Sequence, residues 1–308
     1  LRGSGGRAMK QPVLIVGADG MLGHKLFQTL RDRFDTFVTL RAGGPPWRSY
    51  PFDPDHGRGI GGVEATDFET VATAVARARP EVVVNCIGVV KQRAAAADAE
   101  QTMKVNAQLP QLLARLCGDR GCRLIQISTD CVFSGLRGGY TEDDQPDSVD
   151  LYGRSKLLGE VTGDGCLTLR TSMIGRELSG HAGLLEWLIS RRGGRVRGFR
   201  NAVFSGLATA ALSRVIAALV SDHGGLEGLF HVAGAPISKL ELLERVNRAL
   251  GLGIAIDPVD EPRLDRSLDG SRFAAATGIA VPSWDSMIAG LAADPTPYDE
   301  WRGRHEAN

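Results

Sequence analysis

Tyr152 and Lys156 stand four residues apart in LYGRSKLLGE, which places both on one face of a helix. A free phenol ionises near pH 10, so proton donation at neutral pH calls for a fixed cation beside it. A lysine one turn away supplies that cation and favours the phenolate. Lowering a phenol by about three pKa units corresponds to roughly 4 kcal/mol of differential interaction. Some two dozen residues upstream lie two adjacent hydroxyls, Ser128 and Thr129. Together these groups read as a site that gives a proton to a carbonyl under reduction. The spacing is not a chance product of abundance: 4 tyrosines and 6 lysines in 308 residues give about 0.08 Tyr-x-x-x-Lys pairs at random.

Such a site needs a hydride source, and the upstream chain provides a place for one. PVLIV, residues 12–16, is an unbroken apolar run suited to a strand buried on both faces of a parallel sheet. Gly17, Asp19, Gly20, Met21, Leu22 and Gly23 follow, opening the apolar-periodic HKLFQTLRDRF. A strand, a glycine turn and a helix bring backbone N–H groups against a pyrophosphate, and the glycines allow its close approach. DTFVTL is the second strand, and it delivers Arg41 where an acidic residue would hold a ribose 2′-hydroxyl. A basic residue there suits a 2′-phosphate, assisted by Arg48, so NADPH is expected in preference to NADH. The loop after it, with Trp47, Tyr50 and Phe52, is placed over the adenosine end.

A capped helix beginning near Thr66 or Asp67 ends before Pro80. EVVVNCIGVV is a further buried strand whose C-terminal end presents Cys86, Ile87 and Gly88 to the cofactor and Val90 to the substrate. A helix from about Asp98 to Cys117 carries Asn106 past the sheet. RLIQISTDCVF ends in Ser128-Thr129-Asp130, and CLTLR is a sixth strand. Beyond residue 171 the pattern loosens: HAGLLEWLISRRGGRVRGFR reads as a helix and a basic turn, followed by a helix, the short strand LFHVAG and a helix capped by Ser238.

The fold class expected is α/β, a Rossmann-type doubly wound parallel sheet with a smaller C-terminal α/β substrate lobe. Residues 9–172 form the NADP(H)-binding domain and 173–308 mainly the substrate lobe, some segments returning to the first. Residues 1–8 read as a tag remnant ahead of a native start at Met9. Basic and acidic residues balance at 36 each, so no field recommends nucleic acid or an anionic membrane. Small-molecule chemistry is favoured. Five scattered cysteines without paired spacing read as reduced thiols of a cytoplasmic protein, and no histidine spacing indicates a metal. No apolar stretch is long enough to cross a bilayer.

The segments GADGMLGHKL, VVVNCIG, QISTDCVFSG, YGRSKLLGE and LRTSMIGREL make the chain similar to an extended short-chain dehydrogenase/reductase. It most resembles the dTDP-4-dehydrorhamnose reductase family of nucleotide-sugar reductases. The resemblance implies that Thr129 orients the substrate carbonyl, with Ser128 a second hydroxyl, and that Tyr152 donates the proton. It also implies that Lys156 acidifies the tyrosine and binds the nicotinamide ribose, with Asn106 completing a relay. NADPH then delivers hydride to C4 of a 4-keto-6-deoxyhexose on a nucleoside diphosphate. Asp130, Cys131 and Met173 are expected against the sugar, and Arg200, among Arg170, Arg176, Arg195 and Arg197, at the diphosphate. Cys131 stands where the family usually has tyrosine, Met173 where the rhamnose enzymes have tryptophan, and Phe204-Ser205-Gly206-Leu207 lacks a proline-threonine pair. These differences alter the pocket while leaving the chemistry intact. The same resemblance leaves open a non-catalytic regulatory subunit, like that of methionine adenosyltransferase, and a nucleotide-sugar epimerase or dehydratase. It also leaves open a homodimer.

Overall fold

The computed structural model describes residues 10–41, 58–89 and 98–306, with the side chains of 303–306 excluded. Val90, Arg48, Trp47, Tyr50 and Phe52 lie outside the described residues. The first half runs β1 (Pro12–Val16), α1 (Met21–Leu30), β2 (Asp35–Thr39), β3 (Gly59–Ile60), α2 (Phe68–Ala78) and β4 (Val82–Asn85). It continues through α3 (Ala99–Met103), α4 (Leu109–Arg120), β5 (Arg123–Thr129), α5 (Leu151–Leu158) and β6 (Cys166–Thr171). Beyond it come β7 (Met173–Ile174), α6 (Leu184–Ile189), β8 (Arg195–Phe199), β9 (Ala202–Phe204), β10 (Leu207–Ala208), α7 (Thr209–Ser221) and β11 (Gly228–His231). The chain closes with β12 (Ile237–Ser238), α8 (Lys239–Ala249), β13 (Ala255–Val259), β14 (Leu264–Asp265), α9 (Ser271–Thr277), α10 (Trp284–Ala292) and α11 (Tyr298–Glu306).

Seven strands form one sheet in the order β11-β6-β5-β4-β1-β2-β3, every neighbouring pair parallel. The apolar run of β1 explains its central place. Val13 and Ile15 pack into one core with α1 and α7, while Leu14 and Val16 face the opposite core with α2 and α4. Only a strand covered on both sides needs apolar residues at every position. Strand order reverses between β1 and β4, which opens a crevice at their C-terminal ends, the place where ligands bind in such sheets.

Three elements differ from the sequence reading, each for an identifiable reason. Strand β11 is one of the segments that return to the first domain, which the pattern did not single out: it forms the edge of the main sheet beside β6. Helix α7 brings the chain back there by packing on α1, and the Arg123 guanidinium fastens the return by donating to the carbonyls of Leu219 and Leu226 at 2.9 and 2.7 Å. The segment 195–199, read as a basic turn, is strand β8, with Arg195 and Arg197 outward and Val196 inward, paired to β13. Finally, the helix expected through Asn106 is present and runs on from 99 to 120, but residues Lys104–Gln108 widen into a π turn between α3 and α4. Pro110 lies four residues after Asn106 and has no N–H to give to the Asn106 carbonyl, so the ladder widens there.

The smaller lobe consists of the pairs β7–β10 and β8–β13 and the three-stranded β12-β9-β14 sheet. It closes over the first lobe where Arg266 donates to the carbonyl of Phe133 and Asp265 N–H donates to that of Gly135.

Candidate active site

Strand β5 ends at Thr129, whose hydroxyl accepts from Cys131 N at 3.1 Å and donates to Asp130 Oδ1 at 3.1 Å. Alternation along the strand sends its neighbour the other way. Ser128 donates to Glu160 Oε1 at 2.7 Å, and Glu160 is held by both Nε and Nη2 of Arg170 at 2.8 Å. The structure therefore brings Thr129, and not Ser128, to the tyrosine.

Asp150 caps α5 by accepting from Gly153 N at 2.8 Å, and this fixes the helix that carries Tyr152 and Lys156. Gly153 lets α5 approach closely: a Cβ there would lie 2.2 Å from the Cys131 carbonyl oxygen. Tyr152 is half-buried, and its desolvated phenol lies beside the Thr129 hydroxyl. Burial pushes the phenol well above its ordinary pKa, the neighbouring Cys131 adds to this, and the Thr129 hydrogen bond opposes it. The expectation that Lys156 acidifies Tyr152 is thus not met in this structure. The Lys156 ammonium is turned beneath β5, donating to the Ile127 carbonyl at 2.7 Å. Burial lowers it to about 8, against the raising influence of Glu160 and Cys86.

The glycine turn meets its neighbours as close packing requires. Gly17 has φ +86°, and a Cβ on it would stand 2.5 Å from the Ile87 side chain, while one on Gly23 would stand 2.2 Å from the Gly17 carbonyl oxygen. Gly17 N–H donates to Thr39 Oγ1 at 2.9 Å, a link between β2 and the turn that the sequence did not suggest. Gly20 caps α1 with no side-chain hydrogen bond, which leaves first-turn N–H groups for an anion. Leu22 is core, so it can serve a ligand only through its backbone. Met21 packs against Gly183, and Asp19 is half-buried beside it in the turn. Arg41 is exposed just beyond β2.

Across the crevice, Cys86 is pushed up to about 12 by burial, which keeps it a thiol. Gly88 is exposed, and a Cβ on it would lie 3.5 Å from Asn106 Oδ1 and 3.8 Å from Lys156 Nζ. Asn106 is locked by Val89 N–H into its Oδ1 at 2.9 Å and by its Nδ2 donating to the Val89 carbonyl and Ser155 Oγ at 3.0 and 3.1 Å. A flat, partly anionic ligand fits this arrangement: free N–H groups at one end, a bare glycine over a cation at the other. A dinucleotide has that shape and charge.

On the substrate side, Asp130 is buried and its carboxyl is raised by burial, and Cys131 is pushed up to about 12, chiefly by burial. Met173 is half-buried, pairing with Leu207 and packed against the core. Arg200 is not brought to the site: it is exposed and pairs with Asp260 at 3.1 Å. Arg170 is committed to Glu160, Arg176 to Glu186 and Arg195 to Asp257. Two cations the sequence reading did not single out, Lys239 and Arg266, act electrostatically on Asp130 from the smaller lobe. Among the described residues no cluster of three or more metal-ligating side chains occurs, and no helix is long and apolar enough to cross a membrane.

A doubly wound Rossmann-like sheet with threonine, tyrosine and lysine gathered at its switch crevice defines a dinucleotide-fold protein of the short-chain dehydrogenase/reductase type. The family described as "RmlD substrate binding domain" matches residues 9–294, and the chain belongs to it. Along 92% of its length it is 27% identical to the Haloferax volcanii protein named "Probable low-salt glycan biosynthesis reductase Agl14", of which 98% is covered. It is 31% identical to the Streptomyces antibioticus protein named "Probable dTDP-4,6-dihydroxy-2-methyloxan-3-one 4-ketoreductase", over 72% of this chain and 71% of that one. The crystal structure of dTDP-4-dehydrorhamnose reductase from Bacillus anthracis in complex with NADP superposes with a TM-score of 0.76, covering 92% of this chain and 99% of that one. At 22% identity that likeness speaks for the fold.

Proposed function

We propose that the protein is an NADPH-dependent reductase of the 4-keto group of a nucleotide-diphosphate-linked keto sugar. The observation that carries this reading is the placing of Thr129 and Tyr152 together beside the Gly88–Asn106–Lys156 gap at the C-terminal ends of the sheet. The names of the relatives support the substrate class, and the NADP in the Bacillus anthracis structure supports the cofactor.

When bound, NADPH supplies the hydride. The first-turn N–H groups of α1 would hold its pyrophosphate, Gly88 would admit the ribose, and Arg41 would face the 2′-phosphate. Thr129 positions the carbonyl oxygen within reach of the phenol. Tyr152, kept protonated by desolvation of its phenol, has its proton available for the oxygen as negative charge develops there. Lys156 remains an ammonium below pH about 8, held by the Ile127 carbonyl beside the gap at Gly88, where it would meet the hydroxyls of the nicotinamide ribose. Asn106, fixed by Val89 and Ser155, keeps the wall beside that lysine rigid. Residues 9–172 would thus serve the cofactor and the later lobe mainly the sugar. A purely regulatory subunit has no use for a proton donor held in this way.

NADPH oxidation measured against a panel of 4-keto nucleotide sugars tests the reading. Turnover is expected with at least one member, and Tyr152→Phe should lower kcat by about 100-fold or more. Full activity in Tyr152→Phe would remove the assigned donor. Arg41→Asp should shift preference toward NADH, and an unchanged ratio would show that Arg41 does not meet the phosphate.

A further inference from the structure

Lys239 is the first residue of α8, directly after the cap Ser238, which accepts from Glu241 N at 3.1 Å. A helix dipole disfavours a cation in its first turn. The fold offers this one little in return: its ammonium lies 3.6 Å from the centroid of the Phe204 ring, and among the described residues it has no hydrogen bond or ion pair. Arg266 arrives beside it from the residue after β14. Its Nε donates to the Phe133 carbonyl at 2.9 Å and its Nη1 faces Cys131 Sγ at 3.7 Å. Its Nη2 has no partner among the described residues.

The two cations repel one another and share one buried carboxylate, Asp130, already engaged by the Thr129 hydroxyl. Asp147 also feels Arg266, but it is exposed and both of its oxygens are bound to Ser134, at 2.7 and 2.6 Å. The cleft wall therefore carries more positive charge than the groups around it neutralise, on two half-buried side chains that solvent and a ligand can reach. Its position is informative, because Asp130 and Cys131, the neighbours of these cations, are also the neighbours of the Tyr152 phenol. Cys131 meets the guanidinium directly, its Sγ 3.7 Å from Arg266 Nη1.

We propose that Lys239 and Arg266 together bind an anionic oxygen group of the substrate beside the carbonyl, either the diphosphate or a carboxylate on the sugar. The lysine offers a point charge and the arginine a fork, a combination suited to phosphate or carboxylate oxygens. This inference rests on the reading of the site as a nucleotide-sugar reductase for its choice of ligand, and it deepens that reading by assigning recognition of charge to two residues of the second lobe.

The test uses the full chain with Lys239→Met, Arg266→Met, the double variant and Lys239→Arg. Calorimetric binding of dTDP and of UDP to the NADPH-loaded protein reads the diphosphate. KM for 4-keto nucleotide sugars carrying a C6 methyl or a C6 carboxylate reads the sugar. NADPH affinity is the control for a merely structural effect. Each methionine variant is expected to weaken the responding ligand by about 10-fold or more, Lys239→Arg to restore most of it, and NADPH affinity to hold. Weakened dTDP or UDP binding identifies the diphosphate as the anion. Unchanged nucleotide binding with KM raised only for the carboxylate sugar identifies the acid. The proposal is overturned if the double variant changes neither, if NADPH affinity falls in parallel, or if the wild-type chain binds none of these ligands. Charge-dependent nucleotide binding without reduction of any keto sugar would sink the reductase reading and leave the anion site standing.

Discussion

Gly88 leaves a gap above Lys156, with only 3.8 Å between the position of an added Cβ and the ammonium nitrogen, and 3.5 Å to Asn106 Oδ1. Those are ordinary contact distances, and Gly88 is not among the glycines with positive φ. The backbone does not require a glycine here, and the bare position leaves room for the ribose of the proposed cofactor. Gly88→Val should fold with little change in unfolding midpoint and bind NADPH about 10-fold more weakly or worse. Fluorescence titration of NADPH together with a thermal melt checks both halves. Gly23→Ala is the contrast, because its Cβ would stand 2.2 Å from the Gly17 carbonyl oxygen. That change should destabilise the fold by about 1–3 kcal/mol.

Lys156 is held as a buried cation at a cost in stability. Its pKa falls from 10.5 to about 8, chiefly through burial. Between those values the unfolded chain binds more protons than the folded one, so stability rises with pH across the window and the full penalty is felt below pH about 8. Lys156→Met removes the penalty while leaving the Ile127 carbonyl without its donor. A net gain of about 1–3 kcal/mol is expected in urea unfolding at pH 6.5, fading by pH 10. Activity should be lost in the same variant, and in the wild-type enzyme kcat should decline above pH about 8 as the ammonium loses its proton. A variant that is less stable at pH 6.5 would show that the lysine is not strained by burial.

What could be read directly from the chain was whatever depends on local pattern. The apolar run 12–16, the glycines after it and the Tyr152–Lys156 spacing each specify their own geometry, and the structure shows the parallel sheet and the turn between β1 and α1. What could not be read depends on partners distant in sequence. The return of β11 to the main sheet rests on α7 packing against α1 and on Arg123 reaching residues 219 and 226. The pairing of β8 with β13 hides a strand inside a basic stretch. One missed feature did have a local signal: Pro110, four residues after Asn106, marks the carbonyl that the helix cannot satisfy, and Gly159 packs against that same carbonyl. Helix spacing says that a lysine is near Tyr152, not which way its ammonium turns, and here it turns to the Ile127 carbonyl.

Ser128 and Thr129 are adjacent in sequence but do different work, and substitution separates them. Ser128 shares Glu160 with Arg170, a pair whose side chains are only 9% and 4% exposed. Ser128→Ala leaves that carboxylate still bound by the guanidinium, so a loss of about 1 kcal/mol in stability with kcat nearly unchanged is expected. Glu160→Gln is more severe, since it leaves the Arg170 charge buried between the Phe133 ring and His231; about 3–5 kcal/mol should be lost. Thr129→Val should show the reverse pattern. It costs about 1 kcal/mol through the lost cap on Cys131 N but lowers kcat by about 10- to 100-fold, because the phenol and the carbonyl oxygen lose their shared hydroxyl. Denaturant midpoints beside steady-state kinetics for the three variants decide the matter: a kcat loss in Ser128→Ala as large as that in Thr129→Val would mean that the face alternation of β5 does not divide structure from chemistry.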